Sequence, residues 1–140
     1  FQEVREKLGL VYGIGAFGQS FRDTGMFGIM AGTSPEKYKQ VEDIIRRELK
    51  LISNEPVTET ELLDGKEQLK GNIVLGLESS NSRMMRLAEQ EIYFGQYFSI
   101  DEVIAKIDAV TREDVLRIAS TLFVDSKLSF AVVGPISKIT

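Results

Sequence analysis

The run from Leu10 to Phe21, LVYGIGAFGQSF, constrains the fold more than any other stretch of the chain. Its residues alternate. Leu10, Tyr12, Ile14 and Ala16 take one face, and Val11, Gly13, Gly15 and Phe17 take the other, which is the period of a strand. Arg22-Asp23-Thr24-Gly25 then makes a polar turn ending in glycine. Met26 to Ala31 repeats the strand pattern, with Phe27, Ile29 and Ala31 on one face. Two such runs across a short turn predict a β-hairpin. The hairpin is entered from a helix end: Phe1, Val4 and Leu8 keep helical spacing, and Gly9 supplies the left-handed residue that stops helices. Arg5 and Tyr12 lie seven residues apart across that stop, so the turn can bring a guanidinium and a phenol to the same side.

Gly13-Ile14-Gly15-Ala16-Phe17-Gly18 spells G-x-G-x-x-G. A dinucleotide site needs a helix opening within that motif, whereas here the strand pattern runs through it into a hairpin. The glycines instead clear one sheet face, either for tight packing or for close approach of another backbone or ligand.

Helices follow. Ser34 as N-cap and Pro35 at the first helical position open one that carries Tyr38, Val41, Ile45, Leu49 and Ile52 on one side. Thr58 with Glu61 forms a capping box for a second. Gly65, Gly71 and Gly76 weaken that helix and predict close packing there. Ser79 to Ser82 interrupts, Arg83 to Phe94 resumes, and Gly95 ends the helix; Met84 and Met85 suit core filler. Ser99 with Glu102, and Thr111 with Asp114, open two short helices, whose Ile104, Ile107, Val115, Ile118 and Leu122 are expected in the core. Lys127 to Val133 reads as a final strand closed by Gly134-Pro135. The predicted fold is α+β: a small, mainly antiparallel sheet of hairpin plus C-terminal strand, covered on one face by about five helices.

Composition narrows the chemistry. The 140 residues suit one domain, and the net charge of -4 argues against a nucleic-acid platform. No apolar run approaches a membrane span. There is no cysteine, which fits a reducing compartment, and no histidine. A Ser-His-Asp triad is therefore impossible, and the remaining oxygen ligands suit Mg or Ca better than catalytic zinc. The Glu3/Glu6 and Glu59/Glu61 pairs read as solvated helix charges rather than acid–base pairs. The serines at 79, 80 and 82 have no base to activate them.

Five segments, in order and covering almost the whole chain, carry a family resemblance: FQEVREKLGLVY at the start, DTGMFGIMAGTSPE at 23–36, TETELLDGKEQLKGNIVLGLESSNSRM at 58–84, YFGQYFSIDEVIAKIDAVTREDV at 93–115, and LSFAVVGP at 128–135. The chain resembles the C-terminal half-domain of the pitrilysin/insulinase-type zinc metallopeptidases, and within them the processing-peptidase-like branch. The resemblance implies two homologous halves, on one chain or two subunits, enclosing a chamber for unstructured peptide substrates. The other half, or a partner subunit, would carry H-x-x-E-H and a later glutamate, with two His and that Glu holding zinc and the motif Glu activating water. The C-terminal half would contribute an Arg and a Tyr spaced R-x6-Y, which Arg5 and Tyr12 match. Tyr12 also fits a core position, since it alternates with Leu10 and Ile14, and Arg5 fits a solvated last turn. Leu8 departs from the basic residue that many relatives have there.

Residues 1–140 would then be the later part of one non-zinc half-domain, lacking a strand and helix before Phe1, inactive alone and holding no metal itself. The resemblance implies a bacterial cytoplasmic protein. A non-catalytic scaffold subunit of the same fold and a peptide-binding module are the alternatives, and a homodimer covering the exposed sheet is compatible with the truncation.

Overall fold

A computed structural model describes residues 9–135. The described residues divide into two compact units, 9–51 with 122–135, and 52–121.

The first unit holds the hairpin. Strand β1 (Val11–Ser20) pairs antiparallel with β2 (Gly25–Thr33), from Ser20 opposite Gly25 at the turn to Val11 opposite Thr33 at the far end. Phe21 N–H donates to Thr24 O at 2.8 Å and closes the turn. One face pairs Ile14 with Ala31 and Ala16 with Ile29. Helix α1 (Tyr38–Asn54) packs on that face, so that Leu10, Val11, Val41 and Ile44 are buried together, with Ile14, Ala31 and Ile45 against them. Glu42 is buried beside this core and is clamped on its own helix by Arg46 Nε at 2.8 Å and Lys39 Nζ at 3.1 Å. The Arg46 hydrogen bond, with help from Lys39, holds its carboxyl below the usual range. The helix starts later than Ser34 and Pro35 predict. Lys37 N–H donates to Ser34 O at 3.0 Å, making a separate turn, and α1 begins at Tyr38.

The second unit is helical: α2 (Glu59–Gly76), α3 (Ser80–Phe94), α4 (Ile100–Asp108) and most of α5 (Arg112–Leu122). The starts of α2, α4 and α5 follow their predicted caps, whereas α3 begins at Ser80, three residues before the expected Arg83, because the Ser79 side chain accepts from Ser82 N–H and caps it there. Thr58 and Ser99 form complete capping boxes with Glu61 and Glu102, and Ser79 caps α3. Thr111 Oγ1 and Asp114 exchange hydrogen bonds at the head of α5. Gly95, at φ 64°, ends α3 in the left-handed conformation. Lys66 Nζ donates to Asp108 O at 2.8 Å and Lys70 Nζ reaches the Asp108 carboxylate at 2.9 Å, tying α2 to the end of α4. Arg112 Nε donates to Val57 O, and Ser53 Oγ donates to Ala119 O at 3.3 Å.

Several expectations are corrected. No C-terminal strand forms among the described residues: Asp125–Lys127 is a single 3₁₀ turn, and 128–135 carries no ladder. A strand exists only through its partner, and β-propensity alone cannot supply one; Val133 stands fully exposed. Gly65, Gly71 and Gly76 mark no close packing, since a methyl group added at any of them meets open space. Met84 and Met85 are exposed rather than core, as are Ile118 and Leu122, whereas Ile104, Ile107 and Val115 are half-buried.

Candidate functional site

Of the two predicted site residues, Arg5 lies outside the described residues. Tyr12 lies in β1 at a break in the ladder. Val11 is opposite Thr33 and Gly13 is opposite Gly32, so Tyr12 is the extra residue of a β-bulge. The bulge overturns the simple alternation. Val11 and Ile14, three residues apart, both join the α1 core, and Tyr12 is turned out to 79% exposure. Tyr12 is therefore not a core residue.

The backbone leading into Tyr12 is held in place. Gly9 has φ 58°, in the left-handed region. Its carbonyl accepts from Lys37 Nζ at 3.3 Å, and the Leu10 carbonyl accepts from Thr33 Oγ1 at 2.5 Å. Bulges recur where a side chain must be re-aimed, and this one aims a phenol.

Beyond Tyr12, the hairpin face opposite α1 is nearly bare. Its cross-strand pairs are Gly13 with Gly32, Gly15 with Met30, and Phe17 with Gly28. A methyl group added at Gly13, Gly15 or Gly32 meets nothing within 4 Å. Met30 is 71% exposed, and the Phe17 ring lies across Gly28, where an added methyl group would collide with it. Tight packing thus does not account for Gly13 and Gly15. The result is a glycine floor flanked by Tyr12, Met30 and Phe17. Beside it, the edge of β1 away from β2 has no ladder among the described residues. Such a surface admits an extended backbone, and the phenol is a donor that can reach a carbonyl.

The residues do not fit a zinc ion. The sequence has neither histidine nor cysteine, and no group of three or more acidic side chains is gathered to hold a metal among the described residues. None of the described helices is long and apolar enough to cross a membrane. A second concavity, an open groove of about 510 Å³ in the helical unit, is lined by Ile73, Leu77, Phe94, Phe98 and Val103, with Arg86 and Lys106 at its margin. Two of its polar side chains are engaged with the Phe98 backbone: Gln90 Oε1 accepts from Phe98 N–H at 2.9 Å, and an Arg86 nitrogen donates to Phe98 O at 3.2 Å.

Sequence reasoning missed Thr33 and Lys37. The adjacent apolar pair Leu10-Val11, which strict alternation cannot bury together, was the available signal for the bulge.

Comparisons with known proteins agree on a family. Residues 1–69 match the peptidase M16 inactive domain. The chain is 36% identical over 135 residues to the uncharacterized zinc protease YmxG of Bacillus subtilis, covering 96% of this chain and 33% of that protein. It is 37% identical over 136 residues to an uncharacterized zinc protease of Streptomyces coelicolor, covering 97% of this chain and 29% of the relative. The chain thus spans about a third of the length of these relatives. The fold matches a chain of complex III2 from Candida albicans, Inz-5 bound, with a TM-score of 0.78 and 23% identity, over 85% of this chain and 28% of the other. The inactive-domain match over residues 1–69 and the zinc-protease relatives together make this chain similar to the C-terminal, inactive type of domain of the peptidase M16 family.

Proposed function

We propose that this chain is the later part of a non-zinc half-domain in a zinc-dependent metalloendopeptidase of the processing-peptidase-like branch. In this reading it shapes a substrate chamber and contributes Arg5 and Tyr12 to a site whose metal and base belong to another half or a partner subunit. The observation that carries the reading is the outward-turned Tyr12 beside a bare glycine floor. A phenol and a guanidinium both donate hydrogen bonds, and donors aimed at a peptide carbonyl stabilise the negative charge that develops there during attack. They cannot activate water as a histidine or carboxylate base does, so the chain alone is expected to be inactive. The names of the relatives support the protease assignment, and the donor set of this chain supports a metal held elsewhere.

The test uses the whole protein and an unstructured peptide. Tyr12→Phe, and separately Arg5→Ala, is expected to lower kcat/KM about 100- to 1000-fold, the usual effect of losing one such donor. Unchanged turnover in both variants removes the proposed pair. Zinc-dependent cleavage by the purified 140-residue chain would overturn the division of labour.

The match to a chain of complex III2 favours a second reading, a non-catalytic assembly subunit on the same fold. The two readings separate on whether the whole protein or its partner carries H-x-x-E-H and a later glutamate.

A further inference from the structure

A bulge interrupts the ladder, so a carbonyl beside it needs a donor from outside the regular pattern. Two side chains, one on the last residue of β2 and one in the turn that follows it, provide donors here. Thr33 Oγ1 donates to Leu10 O, and Lys37 Nζ donates to Gly9 O, the two carbonyls that immediately precede the buried Val11 and the bulged Tyr12. Thr33 is also the residue aligned with Val11, so one residue meets the end of β1 through both its register and its hydroxyl. Lys37 reaches Gly9 from the turn closed by its own N–H on Ser34 O.

We propose that Thr33 and Lys37 are positioning residues for Tyr12, fixing the bulge that turns its phenol away from the core. The proposal rests on the reading of Tyr12 as a substrate-contacting group. Its physical basis is register. A strand that loses its extra residue regains simple alternation, and a one-residue shift sends every side chain beyond it to the opposite face. Without the bulge, Tyr12 would share a face with Leu10 and Ile14, and Val11 would leave the face of Ile14. Thr33 meets the half-buried part of the site at the shorter distance and carries the larger share; the Lys37 contact is exposed and longer.

The test places a fluorotyrosine at position 12 of the whole protein and follows its fluorine resonance together with kcat and KM for peptide cleavage. Thr33→Val removes the donor while nearly keeping the shape. It is expected to shift the resonance and to lower kcat/KM about ten- to a hundredfold, the scale of a small misplacement at a reacting centre. Thr33→Ser keeps the hydroxyl and is expected to restore both. Lys37→Met, at an exposed position, is expected to give a smaller shift in the same direction and carries the test if Thr33→Val does not fold. An unmoved resonance in Thr33→Val and Lys37→Met overturns the proposal, and so does a Thr33→Ser protein that behaves like Thr33→Val. Tyr12→Phe separates the substrate role of the phenol from the clamp that positions it. Unchanged cleavage there removes the substrate role of the phenol, whereas a resonance shift in Thr33→Val still supports the clamp.

Discussion

Around the hairpin, Leu10, Val11, Val41 and Ile44 are buried against one another, and residues more than 20 positions apart in the chain hold each other in place. Along α2, α3 and α4 no apolar side chain is buried to that degree among the described residues. Order there comes from caps, from Gln90 closing the loop to Phe98, and from lysines on Asp108. The first region is organised by a buried apolar cluster, the second by hydrogen bonds, local at the caps and the Gln90 loop and long-range at Asp108. A bulged, outward-turned Tyr12 needs the first kind of support, because a local cap cannot set the facing of a strand.

The largest test of this contrast is in apolar truncation. Ile44→Ala is expected to cost about 2–5 kcal/mol, as buried large-to-small changes do, whereas Ile92→Ala, at an exposed position, is expected to stay within about 0.5 kcal/mol. Urea unfolding of the two variants checks it, and similar losses would erase the distinction. Glycine replacement gives the next effect, with opposite signs. Gly9→Ala forces a side chain into the left-handed region and is expected to destabilise by about 1–2 kcal/mol. Gly71→Ala in α2 meets open space and is expected to stabilise by up to about 1 kcal/mol. Thermal unfolding midpoints moving the same way in both would contradict this.

The smallest effect is in pH. The backbone N–H groups of Thr58 and Ser99 hold the Glu61 and Glu102 carboxyls below the usual carboxylate range. A folded value below the unfolded one means stability that is present above the unfolded value and lost as pH falls through the folded one. Glu61→Gln keeps an acceptor for the box but cannot titrate. It is expected to flatten part of the acid limb of the stability curve and to change little near neutrality, which unfolding measured from pH 7 down to pH 3 checks.

What was legible in the sequence follows the same divide. Thr58/Glu61, Ser99/Glu102, Thr111/Asp114 and Gly95 announced their helix ends because a cap acts within one turn. The hairpin and its pairing followed from alternation and the turn residues. The bulge did not, because it is decided by Thr33 and Lys37, 23 and 28 residues away from the carbonyls they hold. Tyr12 stands out in the sequence as a candidate, but its facing is set by that long-range support. The predicted strand over 127–133 failed for the same reason: Leu128 to Val133 has the composition of a strand, but no partner among the described residues. Ser34 and Pro35 carried a valid start signal, yet the Ser34–Lys37 turn intervenes, and it is this turn that delivers Lys37 to Gly9.

The unladdered segment has a consequence for solubility. Leu128-Ser129-Phe130-Ala131-Val132-Val133 has six consecutive residues without charge or proline, with Phe130 and Val133 open to solvent. That composition is the one that stacks into cross-β assemblies when left uncovered. Lys127 before it and Pro135 after it are the residue types that natural sequences place as gatekeepers at such stretches. Self-association of the isolated chain is therefore expected to begin at this segment, and a charge introduced at Val132 is the change best suited to suppress it.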